Sequence, residues 1–297
     1  MRHLRRRDLL KFVPAVLTAG MRPRSAFGGN PPDRIAALEW ASAETLIALK
    51  APPIGLADVE GYRRWVVEPA PPPDVVDLGL RTEPNLELLQ WLAPDLITMV
   101  PGYSADRARL ERIAPSMSLE IYTEQRAPFE AARRETLRLA QTLGRTDEAE
   151  MVIREAAEAI EAARSRLKAS RIQPIYLINL IDPRHVSVFG RNSMFDDVLR
   201  LLGLRNAWTG KTNFWGWATG VGLENLTASD ARLVYFRPRS RLIEDELAQN
   251  RLWNSLPFAK TGRITRVEPV WYFGGLVAAA RFARLLTDAL LEEGRRA

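Results

Sequence analysis

The sequence predicts an α/β protein of two lobes, each with a mainly parallel sheet, joined by one long helix. Short apolar runs typical of buried strands alternate with amphipathic helical segments in both halves of the chain. Residues 146–170, between the halves, have the pattern of one uninterrupted helix, and a short motif is repeated on either side of it. The predicted boundaries are therefore 30–145 for the N-terminal lobe, 146–170 for the helix and 171–297 for the C-terminal lobe.

The predicted helix over 146–170 has charges that suit its dipole at both ends. Thr146 is a candidate N-cap, acidic side chains follow it in the first turn, and basic side chains lie near the last turn. No Gly or Pro interrupts it, so it would span roughly 36 Å, enough to cross two lobes. The alternative is a surface helix of one larger domain. The apolar stripe of the predicted helix comprises Ala149, Ile153, Ala156, Ile160, Ala163 and Leu167.

Strands and helices alternate along the N-terminal half. Ser42 is expected to cap its first helix and Gly144 to end its last. The continuous apolar run at 95–100 is typical of a buried parallel strand. Predicted strands lie at 34–38, at the end of 52–56, at 75–78 and at 95–100. Predicted helices lie at 42–49, 86–92, 107–113 and 128–143.

The C-terminal half continues this alternation and repeats a motif. Leu-Glu-x-Leu occurs at 86–89 and at 223–226, and each copy precedes an aliphatic pair at the same offset. Since ligands bind beyond the carboxyl ends of parallel strands, the loops before the two motifs, 79–85 and 213–222, are expected to face each other. Strands are predicted at 174–181, 233–236 and 263–267, and helices at 192–202 and 275–291.

Composition excludes several classes of site. With 46% apolar and 26% charged residues, the chain has the composition of a soluble globular protein. Seven basic residues and one Asp within residues 1–29 account for the whole net charge of +6, so no nucleic-acid partner is expected. The chain has no cysteine, which excludes disulfides, thiolate metal sites and cysteine nucleophiles. Only His3 and His185 could offer imidazole, so a protein-built transition-metal site is not expected.

Residues 1–29 are interpreted as an export signal. The string from Arg6-Arg7 to Lys11 resembles the bacterial twin-arginine motif and is followed by a short apolar run at 12–19. That run is far below the roughly 20 residues that a membrane span needs. A disordered basic tail is the alternative. A twin-arginine signal predicts export of the folded protein to the periplasm, where it would be an enzyme or a binding protein.

The sequence contains no recognisable catalytic motif. It has no G-x-S-x-G nucleophile turn, no Walker loop and no G-x-G-x-x-G dinucleotide loop. A Ser-His-Asp triad would require His185, whose neighbourhood at 182–185 is typical of a turn after a strand. No hydrolytic or transfer site is therefore evident, and an exported enzyme stays the alternative to a binding protein.

Aromatic residues beside turn residues are the most informative feature. Their apolar faces and polar edges suit a bulky, partly apolar ligand, and Arg81 can offer a planar fork of donors to ligand oxygens. For each ring taken singly, core packing is the alternative. Because such rings occur in both halves, we expect a shared cleft. They are Trp65, Tyr103, Trp215, Trp217, Trp271, Tyr272 and Phe273.

These residues and their neighbours resemble one known family, the periplasmic ferric-hydroxamate siderophore-binding proteins of ABC importers (the FhuD family). The resemblance covers the whole chain, leader included. In the N-terminal half it rests on Arg64-Trp65-Val66, the run 77–89 and Gly102-Tyr103. In the C-terminal half it rests on 181–185, 188–190, 206–208, 212–216 and Val270-Trp271.

The resemblance implies a class III binding protein that holds an iron(III) siderophore in a shallow cleft between its lobes. In that family the siderophore's hydroxamate oxygens hold the iron, so no protein-bound metal and no further cofactor are implied. Arg81 and Tyr103 would hydrogen-bond the hydroxamate oxygens, and Trp215 would contact the ligand from the other lobe. Trp217, a departure from the family pattern, would add an indole beside the cleft. The remaining aromatic walls would be Trp65, Trp271 and Phe273.

The family also delivers its cargo to an inner-membrane ABC permease. The resemblance implies one acidic surface residue on each lobe, paired with arginines of the permease. Glu224 stands at the C-lobe position. The N-lobe position falls on Ala108, so Asp106 or Glu111 would have to substitute. For all three acids, a solvated helix charge is the alternative.

Three further expectations concern ligand, assembly and motion. The alternatives are the same fold binding a catecholate siderophore, haem or a cobalamin, and a Tat-exported α/β enzyme. Catecholate complexes carry strong negative charge, whereas the loops supply mainly Arg81.

We expect a monomer. Because the helix at 146–170 offers no hinge, the cleft is predicted to be largely pre-formed, with lobe closure of only a few degrees.

Overall fold

The computed structural model describes residues 30–99, 107–125, 127–238 and 240–294. Within these ranges the chain forms two five-stranded sheets, and one long helix separates them along the sequence. The α/β architecture predicted from the alternating pattern is confirmed.

The N-terminal sheet is parallel throughout, in the order β3-β2-β1-β4-β5. Ala36 on the central strand pairs with Gly55 on one side and Ile97 on the other. The strands are β1 (Ile35–Ala37), β2 (Gly55–Leu56), β3 (Val76–Asp77), β4 (Leu96–Met99) and β5 (Ser116–Ser118). The helices are α1 (Trp40–Ala48), α2 (Val59–Trp65), α3 (Leu86–Leu92), α4 (Arg107–Leu110) and α5 (Pro128–Leu143).

The long helix α6 (Thr146–Leu167) is unbroken, as predicted, and ends three residues before the expected position. Arg145 occupies its N-cap position without a side-chain hydrogen bond, so the expected capping by Thr146 is wrong. The buried stripe contains Val152, whereas the predicted Ile153 is half-buried.

The C-terminal sheet has the order β10-β9-β6-β7-β8. Strands β6, β9 and β10 are parallel, while β7 runs antiparallel to both of its neighbours, β6 and β8, which the sequence did not predict. The strands are β6 (Ile175–Leu180), β7 (His185–Phe189), β8 (Trp217–Gly222), β9 (Arg232–Phe236) and β10 (Ile264–Val267). The helices are α7 (Met194–Leu201), α8 (Leu242–Gln249), α9 (Arg251–Ser255), α10 (Pro257–Lys260) and α11 (Leu276–Gly294), with a 3₁₀ turn at Leu223–Asn225.

The two lobes have separate sheets but share one hydrophobic core. Helix α11 packs along α6, and Arg166 of α6 forms a 2.8 Å ion pair with Asp288 of α11. The core extends from Leu46 in α1 through Ile160 in α6 to Phe236 in β9. The lobes are therefore connected by packing as well as by the chain. Among the described residues, no helix is both long and apolar enough to cross a membrane.

Candidate ligand-binding pocket

A pocket lies between the carboxyl ends of the N-terminal strands and the C-terminal lobe. Glu39 follows β1, Arg81 follows β3, and Tyr122 follows β5, so three parallel strands present side chains at the edge where such sheets bind ligands. The loops 79–85 and 213–222 both contribute, as expected. The pocket is lined by Glu39, Arg81, Ile121, Tyr122, Trp215, Trp217, Trp271 and Phe273.

Strand β8 reaches this pocket from the end of the C-terminal sheet at which the parallel strand β6 begins. Trp217 begins β8 and pairs with Phe189, which pairs in turn with Leu177 near the amino end of β6. The sequence argument placed the loop 213–222 beyond the carboxyl ends of the strands. That part was wrong, because the antiparallel return of β7 reverses the direction of the chain.

Phe273 lies at the centre of the aromatic wall. Its ring centroid is 5.6 Å from that of Trp215, 5.4 Å from that of Trp217 and 5.3 Å from that of Trp271. Tyr122 lies at 5.8 Å on another side, and all four contacts are edge-to-face. Aromatic pairs favour this geometry. The wall thus combines rings from both lobes into one packed cluster.

Arg81 lies against two indole rings that also contact each other. Its guanidinium carbon is 3.9 Å from the ring centroid of Trp40 and 4.7 Å from that of Trp271. A guanidinium nitrogen is 3.9 Å from Oε1 of Glu39, and the Arg81 side chain is 13% exposed. Cation–π contacts with both rings and an opposite charge hold the guanidinium in a defined orientation at the pocket.

Glu39 is a buried carboxylate that the sequence analysis missed. It caps α1, because its Oε2 accepts hydrogen bonds from the backbone N–H groups of Ala41 (2.5 Å) and Ser42 (3.4 Å). The expected cap, Ser42, instead donates its hydroxyl to the Glu39 carbonyl oxygen. Oε1 of Glu39 accepts the indole N–H of Trp271 at 3.2 Å. Burial raises the pKa of Glu39, while Arg81 and these N–H donors oppose the rise.

The structure separates Trp65 from the pocket. Trp65 ends α2 and packs edge-on against Tyr272 at 5.9 Å, and Tyr272 in turn stacks on Trp271. Trp65 therefore supports the pocket wall from behind and does not line it. Tyr103, the other expected contact from the N-terminal lobe, lies outside the described residues.

Tyr122 was not singled out from the sequence, although it lines the pocket. Its hydroxyl donates to the backbone carbonyl of Tyr272 at 3.0 Å, which connects the loop after β5 to the segment before α11. Burial, and then the nearby Glu39 and Glu44, raise the pKa of Tyr122 well above its ordinary value. No strand was predicted at 116–118, so the position of Tyr122 after a parallel strand became visible only in the structure.

The expected docking acids lie in three different situations. Glu224 is exposed in the 3₁₀ turn after β8, roughly 20 Å along that strand from Trp217. Glu111 pairs with Arg107 at 2.8 Å and accepts from Ser116, the first residue of β5, so it lies at the sheet edge opposite the pocket. Hydrogen bonds from Arg107 and Ser116 lower the pKa of Glu111. Asp106 lies outside the described residues.

Within the described part of the chain, no cluster of three or more His, Cys, Asp or Glu side chains could hold a metal ion. The polar groups of the pocket are therefore hydrogen-bonding and ionic groups on an aromatic wall. Such a wall suits a ligand with a large carbon surface and a few oxygen acceptors.

Comparison with known proteins places this architecture in a family. The family model for periplasmic binding proteins matches residues 35–270. The iron(3+)-hydroxamate-binding protein FhuD of Escherichia coli (strain K12) is 39% identical over 260 residues, which cover 87% of each chain. The Fe(3+)-citrate-binding protein YfmC of Bacillus subtilis (strain 168) is 24% identical over 235 residues, covering 78% of this chain and 72% of YfmC.

A solved structure extends the similarity to the fold. The siderophore-binding protein FhuD from Vibrio cholerae, with bound Fe³⁺-Desferal, superposes with a TM-score of 0.80 at 29% identity. The match covers 87% of this chain and 97% of that protein. The family match, the relative and the shared two-lobed architecture lead to one conclusion: the chain belongs to the periplasmic binding protein family.

Proposed function

We propose that the protein captures iron(III)-hydroxamate siderophores in the pocket between its lobes and delivers them to an inner-membrane ABC permease. The observation that carries this proposal is Arg81, a basic side chain that contacts two indoles and pairs with Glu39 in a pocket whose other described lining residues are aromatic or aliphatic. The E. coli relative at 39% identity is named for binding an iron(3+)-hydroxamate, which supports the same ligand class here.

The chemistry of the pocket suits a neutral chelate. Three hydroxamate groups, each singly negative, cancel the charge of iron(III), so the complex offers oxygen acceptors without net charge. Arg81 would donate to these oxygens, and the aromatic wall would cover the carbon surface of the chelate. The cavity volume of about 130 Å³ is small for such a ligand, so part of the chelate would lie outside the pocket.

The proposed ligand contacts come from both lobes. Tyr103 stays in the proposal as a second donor on the strength of the family resemblance. Trp65 is assigned a supporting role behind Tyr272. The proposed direct contacts are Arg81, Tyr103, Trp215, Trp217, Trp271 and Phe273.

A highly anionic chelate is a weaker candidate. Arg81 is the sole basic side chain among the described residues that line the pocket. A ferric tris-catecholate has strong negative charge and would need several cations to replace its hydration. The haem, cobalamin and enzyme alternatives have no specific feature of this pocket in their favour.

Export and delivery form the second part of the proposal. The twin-arginine leader at 1–29 would bring the folded chain to the periplasm as a monomer of two lobes, 30–145 and 171–297, joined by 146–170. Glu224 is the proposed docking acid of the C-terminal lobe, since it is exposed and distant from the pocket. For the N-terminal lobe we favour Asp106 over Glu111, whose carboxylate is paired with Arg107 at the opposite edge.

Tryptophan fluorescence of the mature protein tests the proposal. The indoles in and around the pocket should be quenched, with saturation, by ferrichrome or another ferric hydroxamate. W91F is a matched control and should be quenched like the wild type, because Trp91 is 77% exposed and lies outside the pocket. Absence of saturable quenching by any ferric hydroxamate would overturn the proposal, and quenching by a ferric catecholate or a cobalamin in its place would favour that ligand.

A further inference from the structure

The connector between β10 and α11 supplies two of the aromatic rings of the pocket. It spans residues 268–275, and its Trp271 and Phe273 both line the pocket. The connector belongs to neither a strand nor a helix, so its backbone polar groups depend on other partners. Whatever fixes the course of the connector therefore also fixes two of the rings that a ligand meets.

Buried side chains of the N-terminal lobe hold the later part of the connector. Tyr122 donates a hydrogen bond to the carbonyl oxygen of Tyr272 at 3.0 Å. Glu44 accepts the backbone N–H of Gly275, the last residue of the connector. The first part, where the chain leaves β10, is held by a different residue.

That residue is Arg281 of α11, which reaches back to the start of the connector. Its Nη1 donates to the carbonyl oxygen of Pro269, two residues before Trp271. The Arg281 side chain is 8% exposed, and its Nε lies 3.6 Å from Oε2 of Glu68, which is beyond hydrogen-bond length. The hydrogen bond that the structure gives this guanidinium is thus directed at the connector.

Arg281 lies outside the ligand pocket. It lines a separate cavity of about 340 Å³ between α1, α6 and α11, and the described residues that line the two cavities do not overlap. Burial lowers the pKa of Arg281, and the nearby Glu68 opposes that shift. A guanidinium keeps its proton at neutral pH even so. Arg281 can therefore influence a bound ligand only through the residues that it holds.

Stability alone is a weak reason for a buried arginine. Taking a guanidinium out of water is costly, and replacing a buried ion pair by apolar side chains of similar volume is often neutral for the fold. The specific contribution of Arg281 is the fixed position of the Pro269 carbonyl oxygen.

We propose that Arg281 is a positioning residue for ligand binding: by holding the carbonyl oxygen of Pro269, it keeps Trp271 and Phe273 in the orientation that an iron chelate meets. This inference rests on the proposed function and extends it to a residue outside the pocket. Without this anchor the ligand would have to order the connector as it binds, and that ordering would reduce its affinity.

The variant R281M removes the donors and keeps a long, unbranched side chain. Its affinity for ferrichrome or ferrioxamine B, measured by tryptophan fluorescence, should fall roughly tenfold, the equivalent of one hydrogen bond to a charged group. The near-UV circular dichroism of the unliganded protein should change too, because Trp271 loses its fixed orientation against Trp40, 4.5 Å away between ring centroids. R281K keeps a donor for Pro269 and should recover part of both properties.

The matched control is R284M, on the same face of α11. Arg284 pairs with the same carboxylate, that of Glu68, at 3.1 Å, but its side chain is 55% exposed. R284M should bind and give the spectrum of the wild type. Equal losses in R281M and R284M would assign the effect to the ion pairs of Glu68 and overturn the proposal. Wild-type affinity and spectrum in R281M would overturn it as well.

Hydrogen exchange of the unliganded wild type decides the matter if R281M does not fold. The connector should exchange as slowly as α11, whereas rapid exchange that only a bound chelate suppresses would contradict the proposal. Failure of the wild type to bind any ferric hydroxamate would instead overturn the proposed function. The dichroism of R281M would then still report whether Arg281 holds the connector.

Discussion

A carboxyl oxygen of Glu44 accepts a hydrogen bond from the backbone N–H of Gly275, joining α1 of the N-terminal lobe to the start of α11. Glu39 makes a similar connection, one helical turn earlier, to the indole of Trp271. The segment 271–275 is encoded in the C-terminal half but is attached to the N-terminal lobe through two buried carboxyls. Phe273 lies in that segment between the two attachment points, Trp271 and Gly275, and these contacts fix its position.

This attachment predicts a stiff, pre-formed pocket. The ion pair of Arg166 with Asp288 and the shared core add further connections between the lobes. We expect small-angle X-ray scattering of the mature protein to give nearly the same radius of gyration with and without a ferric hydroxamate. A marked compaction on loading would contradict this, because it would require a hinge that α6 and α11 do not offer.

Stability should fall with rising pH because of Glu44. Burial and the like charge of Glu39 raise its pKa from 4.5 to about 8. Between these values the folded state holds a proton that the unfolded state has lost, so the free energy of unfolding decreases as pH rises and levels off above the folded pKa. The slope contributed is at most about 1.4 kcal/mol per pH unit.

Urea unfolding at several pH values between about 5 and 9 measures this slope. The variant E44Q cannot titrate and should lose that part of the decline. If wild type and E44Q show parallel pH profiles, the carboxyl of Glu44 does not titrate as described here.

Loss of the Arg81 guanidinium should weaken binding of a ferric hydroxamate. We expect R81A to cost about 1.5–3 kcal/mol, the range for hydrogen bonds to charged groups. R81K keeps the charge but loses the planar guanidinium that contacts Trp40 and Trp271, so its affinity should lie between those of R81A and the wild type. Calorimetric titration measures both, with R63A on the exposed face of α2 as the matched control. Equal affinities of R81A and wild type would remove Arg81 from the site.

Helices with clear end signals were predictable to the residue. The predicted bounds 86–92 and 128–143 match α3 and α5. Asn85 caps α3 by accepting the N–H of Leu88, and Gly144 ends α5 in the left-handed region at φ 65°. Both signals are local, so they are readable from the sequence without knowledge of tertiary contacts.

Strand β8 and the burial of Glu39 depend on contacts between residues that are distant in the sequence. Strand β8 contains Gly220 and Gly222, and glycine normally indicates a turn, so the segment was interpreted as a loop. The composition of β8 does not favour a strand. Its pairing with β7 supplies the hydrogen bonds that stabilise the strand. Glu39 has a charged side chain, which is seldom buried, and its burial became visible only with Arg81 and Trp271 placed around it.

Gly216 is expected to control the position of the two pocket tryptophans that flank it. Its φ is +80°, and a Cβ there would lie 2.0 Å from the backbone nitrogen of Ser193 and 2.2 Å from the carbonyl carbon of Asn192. These atoms belong to the start of α7 and the residue before it, so they cannot yield without moving the helix. G216A should therefore displace the turn that holds Trp215 and Trp217.

Gly220 supplies the matched control, since its φ is +67° but nothing lies within 4 Å of a Cβ. G220A should cost only the backbone strain of a left-handed residue, about 1 kcal/mol, and should leave chelate affinity close to wild type. G216A should lose several kcal/mol of stability and most of its binding, because backbone overlap adds to the same strain. Urea unfolding and fluorescence titration of both variants decide the matter. Equal losses in the two would show that φ alone, and not the contact with α7, makes glycine necessary at Gly216.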